Sequence, residues 1–193
     1  MEDSKEENVI IFGPPGAVKR TQSQNIVKKF NLFQVSTGDL LRNEIKNKTQ
    51  IGKEIEEIIS RGDFATDDVV NKLIKNIIFD PEKKNKLIFD GYPRSLNQAK
   101  NLDLLLDSSN QKIDFIFFLN VNKDTIIKRI ERRKSVEKRP DDDLNTILKS
   151  YDTYMETTKP VLDFYSKNLN FYEIDGGEEI SIISTKIEQI LTV

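Results

Sequence analysis

The stretch Val9 to Gln22, VIIFGPPGAVKRTQ, most constrains what this chain can become. Four apolar residues, Val9 to Phe12, run without a polar break into Gly13-Pro14-Pro15-Gly16. A short apolar run stopped by Gly and Pro predicts a buried strand that closes into a tight loop. The segment Thr21 to Phe30 after it predicts a helix. Strand, glycine loop, Lys19, Thr21 and helix stand in the order of a phosphate-cradling P-loop. In such a loop, backbone N–H groups and the positive helix end converge on one small space, and the lysine adds a full charge. Two places depart from the pattern: Val18 precedes the lysine where Gly is usual, and Arg20 follows it where Ser, Thr or Gly is usual.

Downstream, short apolar runs alternate with helical patterns. Strands are predicted over 31–36, 87–89, 113–119 and 170–174. Helices are predicted over 37–48, 51–60, 67–80, from Ser95 to about Leu106, from Lys123 to Arg133, and from about Asp141 to Lys167 with a kink at Pro160. A last helix covers 180–191. Five strands alternating with helices predict an α/β fold, a parallel sheet with helices on both faces in three layers. The helices between Thr37 and Asp80 exceed what a simple crossover needs, so residues 37–80 are expected to form an inserted subdomain of a domain spanning 9–193. Residues 1–8, MEDSKEEN, read as an acidic tail.

Composition removes whole reaction classes. The chain has no cysteine and no histidine, so disulfides, thiolate nucleophiles, Ser-His-Asp chemistry and Cys- or His-ligated metals are excluded. Lys, Arg, carboxylates, backbone amides and an oxygen-bound Mg²⁺ are left to do chemistry. A net charge of −2 asks for neither nucleic acid nor an acidic membrane. The first residues lack the apolar core of a signal peptide, and no apolar run approaches a membrane span, so a cytoplasmic monomer is expected.

In such a sheet, ligands bind outside the carboxyl ends of the strands. Polar clusters fall at those ends: Lys19 and Thr21, then Thr37-Gly38-Asp39 with Arg42, then Asp90 with Arg94. A basic set, Arg129, Arg132, Arg133 and Arg139, lies in or near the polar segment before the long helix. Taken singly, each has a plain structural reading as a turn, a cap or a solvated charge. Their joint occurrence is what points to a site.

The joint pattern resembles the adenylate kinase family of nucleoside monophosphate kinases, over about Val9 to Ile190. GPPGAVKRTQ is similar to that family's GxPGxGKGTQ, VSTGDLLR to its monophosphate signature, and DGYPRSLNQA to DG[FY]PR followed four residues later by Gln. RIERR supplies an Arg-x-x-x-Arg pair as Arg129 and Arg133, and RPDD resembles the opening of its lid. The short gap between Arg133 and Arg139 resembles the short-lid branch, with the lid at about 133–143. The resemblance implies ATP and AMP as substrates and reversible phosphoryl transfer with Mg²⁺. It also implies donor contacts from Gly13, Gly16, Ala17, Val18, Lys19, Arg20 and Thr21, with Arg129 flanking the donor adenine. Arg133 and Arg139 would bind phosphates as the lid closes. Thr37, Arg42, Gly91, Arg94 and Gln98 would hold the monophosphate, with Phe64 and Ala65 alongside its base. Asp90 would orient water on Mg²⁺. Thr37, Ser95 and Gln98 resemble the adenine-type pattern rather than the pyrimidine one.

A third departure accompanies Val18 and Arg20. The family places a lid arginine eleven residues beyond the one matched by Arg139, where this chain has Ser150. Lys149 is adjacent but expected about 100° away around the helix. Loss at Ser150 and gain at Arg20 suggest that Arg20 supplies the missing charge from the loop side. Three readings stay open at this level: an AMP kinase of reduced rate, a catalytically impaired nucleotide-binding or scaffold protein, and a UMP/CMP kinase.

Overall fold

The computed structural model describes residues 6–61, 65–137 and 144–192. Its elements follow the chain as β1 (Val9–Phe12), α1 (Lys19–Phe30), β2 (Phe33–Ser36), α2 (Thr37–Lys46), α3 (Gln50–Ser60) and α4 (Asp67–Ile78). β3 (Leu87–Asp90), α5 (Leu96–Ser108), β4 (Phe115–Asn120), α6 (Lys123–Glu137), α7 (Leu144–Ser166), β5 (Phe171–Asp175) and α8 (Ile180–Leu191) complete them. The five strands form one parallel sheet in the order β2-β3-β1-β4-β5. β1 is therefore central, with β3 on one side and β4 on the other. The chain direction switches at β1, and the crevice beyond its carboxyl end is the expected ligand site.

Period-2 alternation with both faces covered explains the unbroken apolar strands. Val9 and Ile11 join Ile88, Phe117 and Leu119 in one core, under Ile26 of α1, Ile126 of α6 and Ile183 of α8. Ile10 and Phe12 join Phe89, Ile116 and Phe118 in the other, under Ile74 of α4 and Leu102 of α5. Fully burying each such side chain contributes roughly 1.5 to 3 kcal/mol. α7 places Tyr151 in the first core and Val161 and Tyr165 in the second, so one helix passes between the two layers. α7 runs as one helix through Pro160, the position at which a kink is expected. α4 lays Val70, Ile74 and Ile78 into the second core, whereas α2 and α3 pack on each other. That contact is close enough that a Cβ on Gly52 would lie 2.1 Å from the Glu44 carbonyl oxygen.

Boundaries shifted where caps were not polar side chains. α1 begins at Lys19, two residues before the expected start, because its N-cap is Val18 in a left-handed conformation. β2 starts at Phe33 because Asn31, also left-handed, closes α1. α3, α4 and α5 begin as read, each with a Thr or Ser oxygen accepting a first-turn N–H: Thr49, Thr66 and Ser95. Among the described residues, no helix is long and apolar enough to cross a membrane.

Candidate active site

The loop leaves the carboxyl end of β1 and turns at Gly16, whose φ is +89°. A Cβ there would lie 3.0 Å from the Ile126 side chain, so the position combines a left-handed backbone with tight packing. Val18 then adopts φ 58° and ψ 30°, a region that costs a β-branched residue roughly 1 to 3 kcal/mol. The geometry is that of a glycine, held by a valine. No side chain caps α1, and its first turn holds no acidic residue, so its first N–H groups and the positive helix end are left to face the cavity.

Lys19 Nζ pairs with Asp90 Oδ1 at 2.9 Å, across the seam where β1 and β3 run side by side. The other carboxylate oxygen, Oδ2, lies 3.0 Å from Ser23 Oγ and accepts from Gln34 Nε2 at 3.2 Å. Asp90 is only 8% exposed, and three neighbours from α1 and β2 orient it. Ser23 and Gln34 are functional supports that the sequence reading missed; neither carries a motif signal. Among the described residues no cluster of three or more acidic groups gathers as a metal site. A single oriented carboxylate beside a phosphate loop fits Mg²⁺, which keeps much of its water and takes oxygens from substrate phosphates.

Beside this pair opens a cavity of about 730 Å³. Its walls come from the loop, the segment Gly91 to Arg94, α6 and α7. Among the described residues, five cationic side chains line it, Lys19, Arg20, Arg94, Arg133 and Lys149, and no carboxylate does. Lys149, a helix step of about 100° from Ser150, lines the cavity as well, because the cavity spans a broad face of α7 that also includes Thr146 and Thr153. Arg94 is oriented by its Nε–H, which donates to the Gly91 carbonyl at 2.8 Å.

Tyr154 of α7 ties the far wall to the loop. Its hydroxyl accepts the Gly13 N–H at 2.9 Å, and desolvation pushes its pKa up to about 12, so it stays neutral. Arg129 of α6 braces the other side, donating to the carbonyls of Gly16 at 2.6 Å, of Gly176, and of Glu178 at 3.3 Å. Burial lowers its pKa, with Asp175 opposing. It joins the loop to the β5–α8 turn rather than lining the cavity.

The monophosphate candidates are only partly gathered. Gly91 and Arg94 line the cavity, while Thr37, Arg42, Ala65 and Gln98 stand outside its lining. Thr37, 9% exposed, opens α2 at the end of β2, whose Ser36 is in register with Asp90. Arg42 pairs with Asp39, and that contact chiefly holds the Asp39 carboxyl below its usual range. Gln98 accepts from the Arg94 N–H at 2.7 Å and donates to Asp67 Oδ1 at 2.9 Å. Both ends of its amide are thus engaged, one on the Arg94 backbone and the other on Asp67. Thr21 stands two residues after the lysine in α1, and Ala17 is buried in the loop. Phe64, Arg139 and most of the expected lid lie outside the described residues.

Comparison with known proteins agrees with this geometry. The family model described as Adenylate kinase matches residues 11–170. The adenylate kinase of Pelagibacter ubique (strain HTCC1062) is 48% identical, the match covering 96% of this chain and 100% of that one. Adenylate kinases of Azobacteroides pseudotrichonymphae and Mycoplasma mycoides subsp. mycoides are 39% and 37% identical, covering 93% and 89% of this chain and 94% and 92% of theirs.

Proposed function

The chain belongs to the adenylate kinase family, and we propose that it transfers the terminal phosphoryl group of ATP to AMP, giving two ADP, in the cavity beyond the carboxyl end of β1. One observation carries this reading most directly: among the described residues, five cations and no carboxylate line that cavity, in a chain whose net charge is −2. Such a wall concentrates positive potential on a polyanion. Phosphoryl transfer needs little else, because positioning and charge neutralisation do nearly all the work.

Lys19 and the first N–H groups of α1 hold the donor's outer phosphates, with Gly13, Gly16 and Val18 shaping the loop around them. Arg129 braces the edge of the donor base site. Arg94 faces the same cavity from the β3 side and carries the acceptor phosphate into line, with Gln98 holding its backbone. Thr37 and Arg42, at the start of α2, complete the acceptor side. Arg133, with Arg139 beyond it, closes charge over the donor from the α6 side. Asp90 is the residue that would hold the waters of Mg²⁺; when bound, that ion neutralises charge on the donor phosphates. Closing the walls excludes water that would otherwise take the phosphoryl group.

The reading is tested by coupled measurement of ADP from ATP and AMP, with Lys19→Ala as the control and UMP and CMP as competing acceptors. AMP-dependent ADP formation that Lys19→Ala abolishes is the expected result. Formation with UMP or CMP but not AMP would move the assignment to a pyrimidine kinase.

A further inference from the structure

We propose that Arg20 is a catalytic residue whose guanidinium contacts the phosphoryl group in transit from the loop side of the cavity. This rests on the reaction proposed above. Arg20 is the second residue of α1 and lines the cavity beside Lys19. Several of its neighbours make contacts within the protein. Lys19 pairs with Asp90 at 2.9 Å, Arg94 donates through Nε to Gly91, and Arg129 is spread over three backbone carbonyls. Arg133 also has a partner. The Arg20 guanidinium makes no hydrogen bond or ion pair among the described residues, so its five N–H donors are available to a ligand.

Lys19 and Arg20 also occupy the positive end of a helix whose first turn has no acidic residue, a placement that favours an anion there. Direction is given by the charge's reach: Arg20 helps lower the pKa of Asp39, in the first turn of α2, after the larger effect of Arg42. Arg20 thus lines the cavity beside Lys19 within electrostatic reach of the helix that opens the acceptor side.

In the step itself, the P–O bond to the bridging oxygen of the leaving ADP breaks as a P–O bond to an AMP phosphate oxygen forms. No electron is transferred, and Arg20 remains protonated throughout. A guanidinium that meets the phosphoryl oxygens only in transit raises kcat more than it tightens ATP.

The test compares the full-length wild type with Arg20→Ala and Arg20→Lys. Steady-state rates are measured with ATP and AMP varied separately, Mg-ATP binding by calorimetry, and folding by thermal melts. The expected result is a fall in kcat of about 10² to 10³-fold for Arg20→Ala, with Mg-ATP affinity changed by less than about threefold and melting unaltered. Arg20→Lys should fall between the two, since lysine keeps the charge and loses the fork. Wild-type turnover that persists unchanged or rises in Arg20→Ala overturns the proposal and leaves the AMP kinase reading intact. A loss confined to Mg-ATP affinity, with kcat unchanged, overturns it as well. A wild type that makes no more ADP than Lys19→Ala overturns the kinase reading, and Arg20's role with it.

Discussion

Lys19 of the loop and Asp90 at the end of β3 are joined by a 2.9 Å ion pair, and this single contact ties the phosphate loop to the neighbouring strand. Ser23 and Gln34 hold the other carboxylate oxygen, so the pair is part of a four-residue network across α1, β2 and β3. Asp90→Asn keeps the shape but removes the charge that positions Lys19. Turnover should fall about 10²-fold or more, and unfolding free energy by about 1 to 3 kcal/mol, the range for hydrogen bonds to a charged group. Parallel ADP-formation assays and denaturant titrations check both. Unchanged turnover would show that Lys19 does not need Asp90 for its placement.

Val18 at φ 58° makes a second expectation concrete. Val18→Gly removes the left-handed penalty on a β-branched residue, offset in part by glycine's greater freedom in the unfolded chain. A net gain of about 1 kcal/mol is expected, raising the melting temperature by roughly 2 to 4 °C for a chain of this size. The same change lets the backbone approach phosphate more closely, so ATP should bind more tightly by calorimetry. A lower melting temperature would mean that the valine side chain's packing outweighs its backbone strain.

The fold was legible because its signals are local. Apolar runs stopped by Gly, Pro or Asp located all five strands, and the helices with Thr49, Thr66 or Ser95 at their caps were read to within a few residues. α1 was misread at its start because a valine in a left-handed conformation leaves no capping signature. At the site, Lys19, Arg94 and Arg133 were read from motifs and Arg20 as a departure from one, and the cavity brings them together. Ser23, Gln34 and Tyr154 were missed because their roles arise from contacts across 67, 56 and 141 residues of sequence. Such pairings follow from sheet order and helix packing, which no local pattern contains.

Tyr154 gives a pH-dependent expectation. Its pKa rises from 10 to about 12, with desolvation the largest cause, and that of Tyr92 rises to about 12 for the same reason. Burial also pushes the Tyr165 hydroxyl upward. The folded state thus keeps protons that the unfolded chain releases above pH 10. Their stabilisation is fully present below pH 10 and is lost as pH rises through about 12. Unfolding titrations across that window should show stability falling steeply. Tyr154→Phe should make the fall shallower, and at neutral pH should cost about 1 to 3 kcal/mol by leaving the Gly13 N–H without its acceptor. An alkaline slope identical to wild type would mean that Tyr154 titrates normally.

The α7 wall offers a final pair of substitutions. Lys149 and Ser150 both line the cavity, one a cation and the other neutral. Lys149 is exposed, and a hydrated ammonium on a flexible stem binds phosphate as a loose point charge. Lys149→Ala should therefore raise the KM for ATP by roughly two- to tenfold, the loss of about 0.5 to 1.4 kcal/mol, with kcat nearly unchanged. Ser150→Arg adds a planar fork on the same wall, aimed at the phosphates that Arg20 meets from the loop. If the two act on one phosphoryl group, Ser150→Arg should raise kcat by about tenfold in the wild type and rescue part of the defect in Arg20→Ala. Steady-state kinetics of the two single variants and the double variant measure the coupling. Additive effects, with no rescue, would place Ser150 too far from the reacting group for an arginine there to share its charge.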